Sequence, residues 1–205
     1  MKKLLLIFLT LLFANTMFAQ RIAIPTTPVT DSIKARRLSK NEMKEVDGIK
    51  MGTGWDVVEN VHRAPKFTIL FDALRASGLI ATFKSRGPFT VFAPDNTAFE
   101  AMPNGRLDTL MKKAHQLELT CILAGHAVPG SLNIKQLAKK INSNKGAYKL
   151  TTLAGTKLTA KLDNEDVVLI DELGNEGKIT TADIKQSNGL IHVITKVLLP
   201  KNNAI

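Results

Sequence analysis

The chain has 205 residues, of which 44% are hydrophobic and 22% charged, so its composition predicts one folded domain with a substantial core and excludes a disordered protein. The 28 lysine and arginine residues outnumber the 18 acidic residues, and the formal net charge is +10. A single cysteine excludes an internal disulfide, so packing and hydrogen bonds must stabilise the fold.

The N-terminus has the parts of an export signal. Lys2 and Lys3 precede an apolar run over residues 4–14, and the small residue Ala19 follows. The run is too short to span a membrane comfortably, which favours a cleaved signal peptide over residues 1–19. We therefore expect an exported protein, located in the periplasm, at the cell surface or outside the cell, with no transmembrane segment after cleavage.

Residues 20–53 are predicted to be a basic N-terminal extension. Prolines near its start favour an extended tether, and a capping pattern predicts a short helix over residues 41–46. Val46–Met51 is expected to pack partly on the domain that follows. Four basic residues form a cluster, which we interpret as a solvated surface and, as the alternative, as a contact for an anionic lipid, polysaccharide or protein; they are Lys34, Arg36, Arg37 and Lys40.

Apolar residues at helical spacing begin at Trp55. A clear stripe runs from Phe67 to Leu74, and Gly78 is a predicted helix end. A further helix is predicted before Gly125. On it we assign Leu117, Thr120, Cys121 and Ala124 to one face, which predicts that Cys121 is a buried, unreactive apolar residue.

Between these helices, Gly87 to Ala101 reads GPFTVFAPDNTAFEA and predicts a strand followed by a capped helix. Aromatic and β-branched residues from Phe89 onward favour the strand, and Pro94 ends it because proline has no backbone donor. Asp95, Asn96 and Thr97 can cap the helix, and Thr97 with Glu100 is spaced as a capping box.

After one more amphipathic helix, from Ile134 to Ile141, the apolar period changes to two. Strands are predicted around residues 148–152, 158–162, 167–170 and 179–184, with turn residues between them. The last stretch, Asn188 to Pro200, is apolar on both faces, as expected for a strand covered on both sides. Because helices come first and antiparallel strands later, the predicted fold class is α+β.

The chain lacks local signatures of catalysis. It has no GxSxG sequence and no P-loop, and its four histidines stand far apart, so we predict no enzyme, no cofactor and no metal site. Nucleic acid is an unsuitable partner for an exported chain whose lysines have no interleaved aromatics. An acidic cluster is interpreted as a solvated face; it comprises Asp163, Glu165, Asp166, Asp171 and Glu172.

The two motif stretches, with HAVPGSL at His126 to Leu132 between them, resemble the three motifs of the fasciclin domain, an extracellular adhesion and interaction module. The resemblance covers about residues 54–201, the predicted domain. It implies an α+β fold, a wedge-shaped β-sandwich flanked by several helices. Six positions match the structural part of the motifs, with a buried, hydrogen-bonded role expected for His192; they are Thr90, Phe92, Pro94, Asn96, Phe99 and His192.

The resemblance also implies a function. We expect a non-enzymatic module that binds a cell-surface or matrix protein, or a glycan. Asp183 and Ile184 match an aspartate-isoleucine adhesion motif, although inward packing of Ile184 is an equal alternative. His126 matches the middle motif, whose adhesive tyrosine is replaced here by Gly125. The alternative function is an envelope hydrolase acting on polysaccharide, which two carboxylates facing one cleft would favour.

Overall fold

Helices predominate in the first half of the described chain and strands in the second. The structure, a computed structural model, describes residues 44–46, 48–85 and 87–201. The α-helices are α1 (Val57–Arg63), α2 (Thr68–Ser77), α3 (Ile80–Lys84), α4 (Asn96–Glu100), α5 (Arg106–Leu110), α6 (Gln116–Ala124) and α7 (Ile134–Ser143). Single 3-10 turns precede α2 and α6, at Pro65–Phe67 and Lys113–His115. Among the described residues, no helix combines the length and apolarity needed to cross a membrane.

The strands are β1 (Lys44–Val46), β2 (Ile49–Met51), β3 (Phe89–Pro94), β4 (Ala127–Pro129), β5 (Ala147–Thr151), β6 (Lys157–Asp163), β7 (Asp166–Ile170), β8 (Glu176–Gln186) and β9 (Gly189–Ile194). β1 and β2 form a small antiparallel hairpin. The other strands make one mixed sheet in the order β4-β3-β9-β8-β7-β6-β5, in which β3 and β9 run parallel and every other pair is antiparallel.

Strand β8 pairs with a different neighbour along each part of its length. The first residues of β8 pair with β7, and from Ile179 onward it pairs with β9 through two register shifts, which sharpen the local twist. Beyond β5, the Leu153 N–H donates to the Ala127 carbonyl of β4 at 2.7 Å, so the two ends of the sheet come together. Strand layers flanked by helices confirm the predicted α+β class.

The central strands β3 and β9 separate two apolar cores. Val91 and Val193 face a core shared with α1, α2 and α6, whereas Phe92 and Ile194 face a second core under α7. Because successive side chains of a strand point to opposite faces, a strand covered on both sides must be apolar throughout. The two-faced apolar pattern predicted for the last stretch is therefore confirmed.

The first described residues correct one prediction. Residues 44–46 form strand β1 and not the end of a helix, since Lys44 to Val46 pair with the antiparallel strand β2. Val46 and Met51 are buried, as expected for a partly packed segment. Packing thus extends N-terminal to Gly54, where the domain was predicted to begin. The predicted signal peptide and the basic cluster of the extension lie outside the described residues.

Helix α6 corrects a second prediction. Leu117 is 54% exposed and Cys121 is partly exposed, while Leu119, Ile122 and Leu123 form the buried face. The segment is apolar on nearly every side, so spacing alone does not select the face. Glu118, which pairs with Arg106 and with His115, helps to set the orientation.

The helix after β3 is capped by Asp95, whose side chain accepts from the Ala98 N–H at 2.8 Å. The predicted capping box of Thr97 and Glu100 is wrong, because α4 already begins at Asn96 and places Thr97 inside its first turn. Strand β3 ends at Pro94 as predicted.

Candidate binding groove

A wide groove opens beside the turn between β8 and β9. Its volume is about 940 Å³, and its walls come from the end of α3, the residues before β3, the start of α7 and β8 itself. Most of the lining residues have polar or charged side chains. It includes three lysines (Lys84, Lys135, Lys185), three serines (Ser85, Ser131, Ser187) and two aspartates (Asp56, Asp183).

Asn188 holds one wall of the groove together. Its side-chain oxygen accepts from the Val57 N–H at 3.0 Å, and its amide group donates to the carbonyls of Phe83 at 2.8 Å and Ser85 at 3.0 Å. One side chain thereby joins the β8–β9 turn to the first residue of α1 and to the end of α3. The wall is fixed before any ligand arrives, which lowers the entropic cost of binding.

Glycine is required where β3 and β9 begin side by side. A Cβ atom on Gly189 would lie 2.1 Å from the Phe89 carbonyl oxygen. One on Gly87 would lie 2.0 Å from the backbone carbonyl oxygen of Asn188. Both distances are far below van der Waals contact with backbone atoms that the sheet holds in place. The two strands can therefore approach closely here only because neither residue has a side chain.

Asp183 lies on the groove and also anchors α7. Its Oδ1 accepts from the Ile134 N–H at 2.8 Å, and its backbone N–H donates to Nδ1 of His192 at 3.2 Å. Its φ is +58°, in the left-handed region that aspartate tolerates better than most residues. The side chain remains 28% exposed, so one face of the carboxylate is open to the groove.

Ile184, the second residue of the expected adhesive pair, is fully buried. It packs in the core beneath α1 and α2. A residue with no exposed surface offers no contact to a partner, so the inward alternative describes Ile184, and Asp183 alone of the pair lies on the groove.

His126 is a buried structural residue. The Leu198 N–H donates to its Nε2 at 2.9 Å, which makes Nε2 an acceptor and puts the ring proton on Nδ1, which donates to the Ile122 carbonyl at 2.8 Å. Burial lowers the pKa of His126 to about 4, so the ring is neutral at neutral pH. Since both nitrogens are engaged inside the protein, the geometry does not support the expected ligand contact.

His192 has the role expected for it. It is fully buried beside β3, where it is the register partner of Phe92 and stacks on that ring with 5.6 Å between centroids. Its Nδ1 accepts from Asp183, so Nε2 carries the proton and donates to the Leu132 carbonyl at 2.9 Å. Burial lowers the pKa of His192 as well. The ring thus ties β9 to the loop that leads into α7.

The other motif residues are also structural. Thr90 Oγ1 donates to the Gly130 carbonyl at 2.7 Å and accepts from the Leu132 N–H at 2.9 Å. Asn96 accepts from the Ile69 N–H at 3.1 Å and donates to the Pro65 carbonyl at 2.9 Å, which joins α4 to the start of α2. The aromatic rings of the motif, Phe92 and Phe99, are buried.

Sequence reasoning missed the groove and misjudged Asp171. The three lysines of the groove come from distant parts of the chain, so no local pattern could have joined them.

Asp171 is buried and not solvated as predicted. Its oxygens accept from the N–H groups of Leu173, Asn175 and Leu199 at 2.8–2.9 Å. The Asp-x-x-Gly-Asn spacing at Asp171 to Asn175 was the available signal, since aspartate caps turns in this way.

Metal ligation has no support in the described part of the chain, which contains no group of three or more histidine, cysteine or acidic side chains arranged around a common point. Two carboxylates, Asp56 and Asp183, do line the groove. Asp56 has one oxygen bonded to the Glu59 N–H at 2.8 Å, as the cap of α1.

Comparisons with known proteins agree with the motifs. The family model described as Fasciclin domain matches residues 65–200. Protein sll1483 of Synechocystis sp. is 35% identical over 144 residues, which are 70% of this chain and 73% of that protein. Transforming growth factor-beta-induced protein ig-h3 of Sus scrofa is 34% identical over 154 residues, 75% of this chain but only 20% of that protein.

Among solved structures, a FAS1 domain pair from the insect cell adhesion molecule Fasciclin I superposes with a TM-score of 0.64. The match covers 74% of this chain and 53% of that one, with 18% sequence identity, so it shows a similar fold.

Proposed function

This chain belongs to the fasciclin domain family, and we propose that it is an exported, non-enzymatic adhesion or interaction module that binds a protein or a glycan at the cell envelope or in the matrix. Its relatives include an immunogenic protein of Mycobacterium bovis, and the insect adhesion molecule named above has a similar fold. The proposal assigns recognition to the folded domain and not to the basic extension.

The groove beside Asp183 carries this proposal. It is concave and open, most of its lining residues have polar or charged side chains, and the hydrogen bonds that Asn188 accepts and donates hold its wall. Fixed polar groups around a concavity favour ligand binding because few side chains must be ordered when the ligand arrives. The carboxylate of Asp183 belongs to this surface, whereas Ile184 and His126 are buried and are left out of it.

The hydrolase remains the alternative, because Asp56 and Asp183 line the same groove. A glycosidase needs one carboxyl group to donate a proton and a second to act as base or nucleophile. Here each carboxylate has an oxygen bonded to a backbone N–H at a helix start, which is a structural task. We therefore favour binding, and expect no release of reducing ends when the protein is incubated with envelope polysaccharide.

The test uses substitution of Asp183 by asparagine, which keeps an oxygen to accept from the Ile134 N–H while it removes the charge. Binding of the Asp183→Asn protein to envelope extract should be weaker than wild type, with an unchanged unfolding midpoint. Asp163→Asn is the matched control, because Asp163 lies outside the groove, in the β6–β7 hairpin. Equal binding by wild type and both variants would contradict recognition at this surface.

A further inference from the structure

The described lining of the groove carries both signs of charge. Lys84 is the last residue of α3, and Lys135 lies in the first turn of α7. Both are exposed, and neither forms an ion pair with a described residue. Asp56 and Asp183 are the acidic residues of the same lining, whereas the third lysine, Lys185, already has an interaction partner. The groove therefore offers a ligand two ammonium groups and two carboxylates.

Each of the two carboxylates keeps one oxygen for a ligand. Oδ1 of Asp56 accepts from the Glu59 N–H at 2.8 Å, and Oδ1 of Asp183 accepts from the Ile134 N–H at 2.8 Å. No described residue donates to the second oxygen of either aspartate, and both aspartates are partly exposed. Because the bond to a helix start fixes the direction of each carboxylate, the second oxygen is an acceptor held in place before the ligand arrives.

This mixture of charges disfavours a charged partner. A polyanion would be attracted by Lys84 and Lys135 but would also meet the carboxylates of Asp56 and Asp183, and a polycation would meet the reverse. Like charges brought together in an interface cost binding free energy. An uncharged hydroxyl group can donate to the aspartates and accept from the lysines, and hydrogen bonds to ionised groups are stronger than bonds between neutral groups. All four residues thus favour a ligand rich in hydroxyl groups.

The rest of the lining fits a sugar better than a peptide. Ser131 and Ser187 add exposed hydroxyls that can donate or accept. Among the described residues of the lining none is aromatic, and Leu190 is buried, so the groove offers no large apolar wall to the anchor residues on which peptide partners depend. Pro88 is exposed and provides one small apolar surface, against which the C–H face of a sugar ring can pack.

From these observations we propose that the groove binds an uncharged polysaccharide. Hydroxyls of the polymer donate to Asp56 and Asp183 and accept from Lys84 and Lys135, and one sugar ring lies on Pro88. The groove volume of about 940 Å³ is near the upper end of the range for ligand sites, roughly 300–1,000 Å³, which leaves room for more than one sugar unit. This inference rests on the proposed function and names the ligand class for the same surface.

The test removes one charge of each sign from the groove, in the chain without its predicted signal peptide. The groove variants are Lys84→Gln and Asp183→Asn. Lys112→Gln and Asp163→Asn are the matched controls, because these two exposed residues lie outside the groove. The probes are dextran, mannan and the polysaccharide left after protease digestion of envelope extract, separated by anion exchange into a neutral and an acidic fraction. Titration calorimetry measures binding at low and at high salt.

We expect at least one neutral probe to bind with little dependence on salt. Both groove variants should bind it roughly two- to tenfold more weakly than wild type, since each loses one hydrogen bond to a charged group. Each control should change the affinity by less than about twofold. Opposite effects of Lys84→Gln and Asp183→Asn, or tighter binding of the acidic fraction than of every neutral probe, would show a charged ligand and overturn the inference.

The outcomes also separate this inference from the proposed function. If no neutral probe binds, while whole envelope extract is still bound in a manner that Asp183→Asn weakens, the ligand class is wrong and the interaction role stands. If wild type does not bind the extract, or Asp183→Asn leaves that binding unchanged, the proposed function fails as well.

Discussion

At the residue scale, the two buried histidines make the fold sensitive to acid. His126 and His192 each accept a backbone N–H with one nitrogen and donate to a backbone carbonyl with the other. A protonated ring has no acceptor, so charging either residue breaks one of these bonds inside the core. In this fold both histidines therefore act through a paired donor and acceptor rather than through charge.

This gives a pH prediction for His126. Its pKa is about 4 in the folded chain and 6.5 in the reference state, so between these values the unfolded chain binds the proton and the folded chain does not. The stabilisation that the neutral form of His126 gives the folded chain is complete above pH about 6.5 and is lost as the pH falls toward 4. Between pH 7 and 5, wild type should lose about 2 kcal/mol more unfolding free energy than His126→Gln.

Denaturant unfolding at several pH values measures this difference. His62→Gln is the control, because it removes an exposed histidine and leaves both buried rings in place. The lowered pKa of His192 acts in the same direction, so the His126→Gln protein retains part of the acid sensitivity. Parallel stability curves for wild type and His126→Gln would contradict the assignment of a neutral, buried ring.

At the scale of elements, the parallel pair β3–β9 is the feature on which both cores and the groove depend. It divides the two apolar clusters, and its first residues border the groove. The close approach of Gly189 to the Phe89 carbonyl means that even one added methyl group must push the strands apart.

Gly189→Ala should therefore lower the unfolding free energy by about 2 kcal/mol or more, since the clash is with sheet backbone. Gly54→Ala is a matched control: a Cβ there meets nothing within 4 Å, and no left-handed φ is required. Thermal and denaturant unfolding of the two variants measures the difference. Similar stability of both would mean that the start of the parallel pair can relax.

Elements with a strong local pattern were predictable, and elements with an ambiguous pattern were not. Strands β5 to β8 follow from period two and from the turn residues between them, and β9 follows from its apolar residues on both faces. The buried face of α6 did not follow, because QLELTCILA is apolar nearly all round and partners of Glu118 help to orient it. Strand β1 lies where a capping pattern predicts a helix, because the pairing with β2 that makes it a strand leaves no mark in the local pattern.

The site was predictable only in part, for a geometric reason. Asp183 was identified through the family motif, and it does line the groove. Its neighbour Ile184 is fully buried in the core shared with α1 and α2 and offers no surface to a partner. The lysines could not be predicted because Lys84, Lys135 and Lys185 become neighbours only through the order of strands in the folded sheet.

At the scale of the whole molecule, two surfaces compete for the role of binding site. One is the basic cluster in the extension, and the other is the groove of the folded domain. The formal net charge is +10 for the full sequence and +8 once Lys2 and Lys3 leave with the predicted signal peptide, and either value supports weak attachment to anionic material. The two surfaces differ in their expected dependence on salt, because binding through charge alone is screened beyond roughly 8–10 Å at physiological ionic strength, whereas a shaped groove adds short-range hydrogen bonds.

The most direct test of recognition by the folded domain is binding to envelope extract, at low and at high salt, by the chain from residue 20 and by a chain that begins at residue 44. The shorter chain keeps β1 and β2, whose residues Val46 and Met51 are part of the core. The account predicts that binding survives the deletion and depends only mildly on salt. Complete loss of binding on deletion, with the full chain released by high salt and unaffected by Asp183→Asn, would contradict it.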